Sequence, residues 1–375
     1  MRNYLNDKKI RIAFLVNGLR IGGTERYLLS FLEELPKEKF EFSVFCIADA
    51  PLLNDPHYKI DYPVIVNNIK RFSLITCFRF FLYLKKYKPQ ILHSFLYHSN
   101  IFARIMGRLA GIKIVISEER STNYKKKWLY ILLERLTWRL STTIWVNNVS
   151  IKDILVRREK IRPEKIQILL TGIKLPASSQ KIHNKRYLNI PEDRFVLGNI
   201  CRFCEQKNLI KLLEVMKIVS IKIPEAILVL VGDGPLMKIL KKFCQENNLE
   251  DKVIFTGWRN DISEILDCLD VFVSLSKEEG LSCSVMEAMA KGIPVVASDI
   301  PGYRELVIDG VTGRLVPLND LTAAQAIEEL YKKRDKFSQV AMKAKRHIEE
   351  NFNFQRFAQI RQDLYKELVA KFINR

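Results

Sequence analysis

The chain has 375 residues, of which 48% are hydrophobic and 27% are charged, so it is long and apolar enough for two globular domains. This composition excludes a largely disordered protein, and no run of about 18 uncharged apolar residues predicts a membrane-spanning helix. The net charge is +19, and residues 1–175 contribute +16 of it, with 31 Lys and Arg against 15 Asp and Glu. This asymmetry indicates an anionic partner for the first half: nucleic acid, an acidic membrane surface or a phosphorylated substrate.

Strands and helices alternate through the first half of the chain. The predicted strands are Ile10–Val16, Phe40–Ile47, Val64–Val66, Ile91–Ser94, Lys113–Ser117, Thr143–Val146 and Ile166–Leu169. The predicted helices are Thr24–Leu35 with Thr24 as its N-cap, Leu74–Tyr87, Asn100–Ala110, Trp128–Leu140 and Ile151–Val156. Residues 173–192 are mostly polar and contain two prolines, which predicts a linker.

The same alternation restarts after the linker. The predicted strands are Phe195–Ile200, Ile227–Val231, Val253–Phe255, Val271–Ser274 and Val295–Ala297. The predicted helices are Leu209–Ser220, Pro235–Asn247, Ile262–Leu266, Cys283–Ala290 and a C-terminal Phe352–Phe372. Repeated β–α units predict two parallel α/β sheets covered by helices, and ligands of such sheets bind at the carboxyl ends of the strands.

The cysteines and the N-terminus indicate a reducing, cytoplasmic setting. Seven cysteines at scattered spacings form no disulfide framework, and Cys201-x-x-Cys204 has no second pair that would make a zinc site. The polar segment Met1–Ile10 lacks the apolar core of a signal peptide. No Asp-x-Asp metal motif occurs, so we expect no metal and no bound cofactor.

The segment Ser276–Glu287 is the strongest indication of chemistry. It follows the strand Val271–Ser274 and leads into the helix Cys283–Ala290, so the amides of Gly280, Leu281 and Ser282 lie at a helix N-terminus, which suits a diphosphate. Glu279 and Glu287 are about two helical turns apart and can project to one side. A carboxylate at such a site accepts hydrogen bonds from ribose or sugar hydroxyls. A solvated helix face fits less well, because apolar residues flank Glu287.

A second turn, Gly232-Asp233-Gly234-Pro235, follows the strand Ile227–Val231. Its glycines permit positive φ angles and the close approach of a ligand. Any strand-to-helix turn has a similar composition, so this motif alone does not decide between binding and structure.

Glu279 and Glu287 resemble the Glu-x7-Glu signature of the family 4 glycosyltransferases, and Gly292-x-Pro294-Val295-Val296-Ala297 follows them as in that family. The resemblance is dense over residues 195–316 and thinner before residue 170. It implies a retaining glycosyltransferase of the GT-B fold, in which two Rossmann-like domains have parallel sheets facing a central cleft. It also implies an acceptor-binding domain over 1–172, the linker, a donor-binding domain over 193–351 and a C-terminal helix over 352–375 packing back on the first domain.

The resemblance also implies roles for individual residues. Gly22-Gly23-Thr24-Glu25-Arg26 resembles the glycine-rich loop beside the donor, and Arg202 with Lys207 resembles the basic pair on the donor phosphates. The two cations would stabilise the leaving diphosphate, so that no metal is needed. The implied catalytic residues are Glu279, His98, Arg202 and Lys207. The implied donor-binding residues are Gly22, Gly23, Arg202, Lys207, Asp233, Gly234, Glu279, Gly280, Leu281, Ser282 and Glu287.

The histidines depart from the usual family pattern. Many relatives have His-x-His after a strand of the first domain, whereas here Phe95 occupies the second position of His93-Ser94-Phe95. His98 fits the related His-x-x-x-x-His-x-Asn pattern with Asn100, so we expect His98 near the reacting sugar and His93 second to it. Both could instead be core or turn histidines. Thr171 and Cys201 also depart from the family's usual Asn and Gly.

The basic first half mixes cations with aromatic residues. Lys70–Lys88 contains six basic residues, no acidic one and several aromatics, and Asn123–Leu140 repeats the mixture. Such segments suit the headgroup region of an anionic bilayer. Core helices with a solvated basic rim are an equal alternative, and nucleic-acid binding is disfavoured because no such motif is present.

The resemblance implies transfer of a hexose or N-acetylhexosamine from a nucleotide-diphosphate sugar, a UDP-sugar by preference, to a glycan or lipid-linked saccharide. The expected setting is bacterial surface polysaccharide assembly (lipopolysaccharide, O-antigen or capsule), in the cytoplasm or at the inner face of the cytoplasmic membrane. The alternatives are a GT-B nucleotide-sugar epimerase, hydrolase or phosphorylase, and a relative that binds sugar nucleotides without catalysis.

Overall fold

The structure, a computed structural model, describes residues 9–19, 22–54, 60–68, 73–122, 126–174 and 184–373. Contacts divide the chain into two units, Met1–Leu170 with Gln355–Arg375, and Thr171–Phe354. Each unit is a parallel sheet with its own helices. None of the described helices is both long enough and apolar enough to cross a membrane.

The first unit contains a seven-stranded parallel sheet in the order β3-β2-β1-β4-β5-β6-β7. The strands are β1 Ile10–Val16, β2 Phe40–Cys46, β3 Val64–Val66, β4 Ile91–Phe95, β5 Ile114–Glu119, β6 Thr143–Val146 and β7 Ile166–Ile168. The helices are α1 Gly23–Glu33, α2 Leu74–Tyr87, α3 Tyr97–Leu109, α4 Trp128–Thr137 and α5 Val149–Arg157, with the C-terminal α13 Phe354–Phe372. Short 3-10 helices cover Pro51–Asn54, Trp138–Leu140 and Pro163–Lys165.

The apolar runs form these strands because both faces of a parallel sheet are covered. Six of the seven residues of β1 are hydrophobic and buried, and a core cluster joins β1, β2, β4 and β5 to α2 and α3. In this sheet β1 pairs with β2 on one side and with β4 on the other. The strand order therefore reverses direction between β1 and β4, and open α/β sheets bind their ligands at such a reversal.

The second unit contains a six-stranded parallel sheet in the order β10-β9-β8-β11-β12-β13. The strands are β8 Phe195–Ile200, β9 Ala226–Val231, β10 Val253–Gly257, β11 Val271–Ser274, β12 Val295–Ser298 and β13 Arg314–Val316. The helices are α6 Leu209–Lys222, α7 Met237–Glu246, α8 Ile262–Asp267, α9 Cys283–Ala290, α10 Pro301–Arg304, α11 Asp320–Lys332 and α12 Arg334–Asn351. The reversal in this sheet lies at β8, between β9 and β11.

Several predicted boundaries shift in ways that matter for the site. Helix α1 begins at Gly23 with Gly22 as its N-cap, and no side chain caps it, so the predicted N-cap role of Thr24 is wrong. Helix α3 begins at Tyr97 rather than at the predicted Asn100, which puts His98 in its first turn. Strand β5 extends to Glu119, so two glutamates lie at its carboxyl end.

The predicted linker is shorter than expected. Of residues 173–192, residues 175–183 lie outside the described part of the chain. From Asn184 onward the backbone forms a 3-10 helix, Lys185–Leu188, whose buried Lys185 pairs with Asp270 at 2.8 Å. These residues therefore belong to the fold of the second unit.

The C-terminal helix α13 packs on the first unit. Arg361 donates hydrogen bonds to the carbonyl oxygens of Leu169 and Leu170, at 3.0 and 3.1 Å, just beyond β7. Tyr365 is fully buried and contacts His93 of β4. The last helix of the chain is therefore part of the core built by the first 170 residues.

Candidate active site

Three loops meet at the carboxyl edge of the second sheet. They follow β8, β9 and β11, which are neighbouring strands, and backbone hydrogen bonds join them. The Phe203 amide donates to the Asp233 carbonyl at 2.9 Å, and the Lys277 amide donates to the Gln206 carbonyl at 2.9 Å. The side-chain amide of Gln206 also donates to the Glu278 carbonyl at 3.0 Å. This hydrogen bonding fixes the loops that carry the predicted donor-binding residues.

Gly232 is required where the first two loops touch. Its φ is +128°, and a Cβ placed there would lie 2.0 Å from the carbonyl oxygen of Cys201. Both the backbone angle and the space exclude any other residue. The glycine turn that the sequence left undecided therefore has a structural role at this edge of the sheet.

Glu279 is the central carboxylate of the site. It is only 8% exposed, and its Oε1 accepts hydrogen bonds from Lys207 Nζ and, at 2.9 Å, from Ser276 Oγ. No hydrogen bond to Oε2 is recorded within the described part of the chain. Two of the predicted catalytic residues are thus in direct contact, with one carboxylate oxygen held and the other left for a ligand.

The pair keeps Lys207 charged. Burial by itself lowers the pKa of a lysine, but the adjacent Glu279 carboxylate outweighs burial and holds the pKa of Lys207 above its ordinary value of 10.5. A permanently charged ammonium at this edge can attract a phosphate as well as the carboxylate.

A buried tyrosine supports the same carboxylate from behind. The hydroxyl of Tyr303 bonds Ser274 and donates to Ser276 Oγ at 3.2 Å, and Ser276 in turn donates to Glu279. Burial raises the pKa of Tyr303 well above its ordinary value, so the hydroxyl stays protonated. Neither Ser276 nor Tyr303 was predicted from the sequence. Ser276 lies two residues beyond the end of β11, which was a usable signal, whereas no local pattern marks Tyr303.

The helix α9 begins beside Glu279. Ser282 is its N-cap residue, and Gly280, Leu281 and Ser282 are buried. The first amides of a helix have no intrahelical acceptor, so they form an anion-binding end here. Glu287 is half-buried in the last turn, where the predicted two-turn spacing puts it.

Arg202 and Asp233 are the exposed members of the predicted site. Arg202 has no hydrogen bond or ion pair recorded with the described residues, so its guanidinium is available to a ligand. Asp233 is exposed and its Oδ1 accepts from the amide of Gly234 at 2.6 Å. The carboxylate therefore shapes its own turn.

The other predicted residues lie in the first unit, at the carboxyl edge of its sheet. Gly22 and Gly23 begin α1 after β1, and His98 lies in the first turn of α3 after the neighbouring β4. Ser99 donates to Asn17 at 3.0 Å, which joins the start of α3 to the loop after β1. The ring of His98 is half-buried against Tyr130, with ring centroids 4.8 Å apart. The glycine loop and His98 thus follow adjacent strands.

His93 is a core residue, which corrects its expected place second to His98 near the sugar. Its side chain is fully buried; Nδ1 bonds the Tyr365 hydroxyl at 2.7 Å, and Nε2 lies 3.3 Å from Glu118. Burial lowers the pKa of His93. A fully buried ring cannot reach a substrate, so the core-histidine alternative applies.

A charged network that the sequence analysis missed surrounds this histidine. Glu118 contacts Arg120 at 2.9 Å and Arg361 at 3.5 Å, and all three side chains are buried. Burial raises the pKa of Glu118, but Arg361, His93 and Arg120 together hold it far below its ordinary value. The Glu118-Glu119-Arg120 run after a strand was the available sequence signal.

A second buried cluster lies beside it around Lys126. Its ammonium contacts Glu159 at 3.0 Å and Glu134 at 3.5 Å, and Arg104 also pairs with Glu134. Glu119 is buried close by. These basic residues belong to the interior, so part of the positive charge of the first half is structural.

Neither a disulfide nor a metal site is found among the residues that the structure describes. All seven cysteines are free, and burial raises the pKa of Cys201 to about 12. Within the described ranges, no group of three or more His, Cys, Asp or Glu side chains could hold a metal ion. Metal independence stays a prediction.

Comparisons with known proteins agree with this architecture. Residues 21–175 match the model described as Glycosyltransferase Family 4, and residues 180–347 match the model of Glycosyl transferases group 1. A galactosyltransferase of Escherichia coli, UDP-Gal:alpha-D-GlcNAc-diphosphoundecaprenol alpha-1,3-galactosyltransferase, is 32% identical over 84% of this chain and 85% of its own. The chain belongs to glycosyltransferase family 4. It is a glycosyltransferase, as the Glu279–Glu287 signature predicted.

Solved structures show the same fold. HepE of Anabaena, in complex with UDP and glucose, is 20% identical and superposes with a TM-score of 0.83 over 95% of this chain and 99% of its own. Sucrose-phosphate synthase of Thermosynechococcus elongatus is 21% identical, with a TM-score of 0.84 over 97% of this chain and 100% of its own. These neighbours are GT-B glycosyltransferases, so the predicted fold class is confirmed.

Proposed function

We propose that this glycosyltransferase moves a hexose or N-acetylhexosamine from a UDP-sugar to a lipid-linked saccharide, with retention of anomeric configuration, during assembly of a bacterial surface polysaccharide. The observation that carries the proposal is the Lys207–Glu279–Ser276 contact at the reversal point of the second sheet. The donor and acceptor classes follow the Escherichia coli relative, whose name specifies UDP-Gal and a diphosphoundecaprenol-linked GlcNAc.

The second unit provides groups of the right chemistry for the donor. The amides at the start of α9, the Lys207 ammonium and the exposed Arg202 would stabilise the charge that develops on the departing diphosphate. The free oxygen of Glu279 would accept a hydrogen bond from a sugar hydroxyl. Three positive groups make a metal unnecessary for the leaving group.

The first unit would hold the acceptor. Its glycine loop and His98 follow the two central strands at the binding edge, and His98 would lie near the reacting sugar. The half-buried imidazole beside Tyr130 could orient the attacking hydroxyl or take its proton.

An anionic membrane surface suits the outer face of the same unit. Exposed apolar residues form stripes at helical spacing on α2 (Leu74, 89% exposed, Phe78 and Leu82) and on α4 (Trp128, 74% exposed, and Leu132). Exposed cations lie among them: Arg79, Lys85, Lys86, Lys127 and Arg135. Aromatic and aliphatic side chains interleaved with lysine and arginine fit the headgroup region of an anionic bilayer, where a lipid-linked acceptor would be found.

The donor site is tested by a thermal-shift panel followed by a transfer assay. Among UDP-, GDP- and ADP-sugars, a UDP-sugar should give the largest stabilisation, because a ligand that binds only the folded state raises the melting temperature. Transfer to a short-chain lipid-diphosphate GlcNAc should fall by about 100-fold or more in Glu279→Ala, while the matched Glu264→Ala on α8 stays active. Full activity of a folded Glu279→Ala variant would show that Glu279 is not part of the active site. Sugar release without an acceptor would favour a hydrolase.

Membrane association is tested by flotation with anionic liposomes at low and high salt. Binding should weaken as the salt concentration rises, because salt screens the cations. The apolar stripes should give a part of the binding that salt does not remove, and the double variant Phe78→Ser with Trp128→Ser should abolish that part. If the protein stays in the soluble fraction at both salt concentrations, the membrane proposal is wrong.

A further inference from the structure

A basic pocket lies at the opposite edge of the first sheet from His98 and the glycine loop. It has a volume of 330 Å³ and is formed where the chain enters three adjacent strands: Lys113 precedes β5, Thr142 precedes β6 and Lys165 precedes β7. Arg108 at the end of α3 and Arg139 after α4 complete the polar wall. None of the donor-site or acceptor-site residues lines it.

Four cations line this pocket without an acidic residue. Arg108, Lys113, Arg139 and Lys165 form no recorded ion pair with any carboxylate in the parts of the chain that the structure describes. This contrasts with Arg104 on the same α3 helix, which pairs with buried Glu134. Four positive charges around one cavity repel one another unless an anion binds there.

Two of the four cations, Arg108 and Lys165, hold the walls of the pocket, and the other two face outward. Lys165 donates to the carbonyl oxygens of Ser141 and Thr142, both at 3.4 Å. Arg108 donates to the carbonyl oxygens of Leu140 at 2.8 Å, Ile112 at 2.9 Å and Lys113 at 2.8 Å, so it fixes both entry loops. Lys113 and Arg139 have exposed side chains, and Arg139 lies over the Trp138 ring at 4.7 Å. The outward pair is therefore free to contact an anion while Arg108 keeps the walls in place.

Two exposed leucines lie beside the pocket. Leu109, directly after Arg108, and Leu136, one turn before Leu140, are each 65% exposed. The bond from Arg108 to Leu140 brings these two helix ends together. An amphiphile with an anionic head and an apolar tail would match both features at once.

We propose that this pocket binds the phosphate of an anionic phospholipid headgroup while the exposed leucines beside it lie among the acyl chains. Its volume is at the low end of the ligand-pocket range of about 300–1,000 Å³, which suits one headgroup rather than an oligosaccharide. Phosphate oxygens accept from lysine and arginine more strongly than neutral groups do. This inference rests on the proposed action at a membrane.

The test is partition to vesicles of phosphatidylcholine containing phosphatidylglycerol, compared with vesicles in which oleate supplies the same negative charge without phosphate. The double variant Lys113→Gln with Arg139→Gln should bind the phosphatidylglycerol vesicles more weakly by clearly more than about 30-fold, because general attraction to an anionic surface already contributes about fivefold for each basic residue and the phosphate contacts add to it. On oleate vesicles, which offer only the general attraction, its loss should not exceed about 30-fold. The matched control Lys241→Gln with Lys343→Gln removes two exposed charges from the second unit and should lose little on either vesicle.

Equal losses in the two double variants, or equal losses on the two vesicles, would show a diffuse charge effect and overturn the headgroup site. Strong competition by millimolar glycerol phosphate, without vesicle binding, would mean a soluble phosphate ligand and would also overturn it. Transfer to a water-soluble acceptor is measured in parallel and should be unchanged in the Lys113/Arg139 variant. If no variant or wild-type protein transfers sugar, the proposed function fails, and the vesicle result still decides the pocket.

Discussion

The buried carboxyl of Glu119 should make the stability of the first unit depend on pH. Its Oε1 accepts from the amides of Arg120 and Ser121, at 3.1 and 3.2 Å. Burial raises the pKa of Glu119 from an ordinary 4.5 to about 7, and Glu134 and Glu159 add to the rise while Lys126 opposes it. We predict that Glu119→Gln stabilises the unit above neutral pH.

The sign follows from linkage. Because the folded pKa is higher than the unfolded one, the folded state holds this proton more tightly, and the stability is complete below about pH 4.5 and is lost as the pH rises through about 7. One pKa unit corresponds to about 1.4 kcal/mol, so the whole loss is about 3 kcal/mol. About 2 kcal/mol of it falls between about pH 5.5 and about pH 8.

The assay is urea unfolding followed by tryptophan fluorescence at both pH values. Three of the four tryptophans, Trp128, Trp138 and Trp145, lie in the first unit, so a Trp258→Phe background makes the signal specific to it. In that background the advantage of Glu119→Gln over the parent should grow by about 2 kcal/mol from about pH 5.5 to about pH 8.

Exposed Glu164 serves as the control, since Glu164→Gln should give a difference that does not change with pH. A constant difference between Glu119→Gln and its parent across this pH range would refute the reasoning. It would show that Lys126 compensates the carboxylate fully and that the buried cluster is ionised throughout.

Three further predictions concern the supporting contacts. Gly302→Ala places a Cβ 2.3 Å from the carbonyl oxygen of Glu279. It should lower the free energy of unfolding of the second unit, followed by Trp258 fluorescence, by about 1–3 kcal/mol, and sugar transfer should fall as well. Unchanged activity would show that the loop carrying Glu279 can move to accept the Cβ. Tyr303→Phe should lower kcat/KM by about 2- to 10-fold without changing the secondary structure seen by circular dichroism, and no change would mean that the serine hydroxyls hold the carboxylate unaided. Arg361→Met should destabilise the first unit by about 3–5 kcal/mol, whereas Lys371→Met on the same helix should not; equal effects would contradict a role for the buried ion pair.

Sequence patterns were sufficient for the fold because apolar strands buried on both faces are continuous runs. Helix α2, strand β8 and helix α9 begin and end at their predicted residues. The boundaries that moved depend on interactions between distant residues. Helix α3 starts early, at Tyr97, after Leu96 with a φ of +68°, a conformation that no local propensity favours.

The site was predictable where function needs a residue type at a fixed spacing, as with Glu279 and Lys207. It was not predictable where a long-range contact decides. Tyr303 reaches Ser276 across 27 residues, and Tyr365 reaches His93 across 272 residues, so neither partner could be read from the local pattern. His93 was misplaced for this reason, since its partner lies in the last helix.

The charge of the first half is of two kinds, and the distinction bears on the membrane proposal. Arg104, Arg120 and Lys126 are buried against carboxylates, so their charges are balanced inside the fold. The cations on α2 and the outward pair of the basic pocket have no recorded carboxylate partner within the described residues. A solvated rim would require only polar neighbours, yet the exposed stripes of α2 and α4 are largely apolar. Cations without partners beside exposed apolar side chains favour a lipid surface over bulk water.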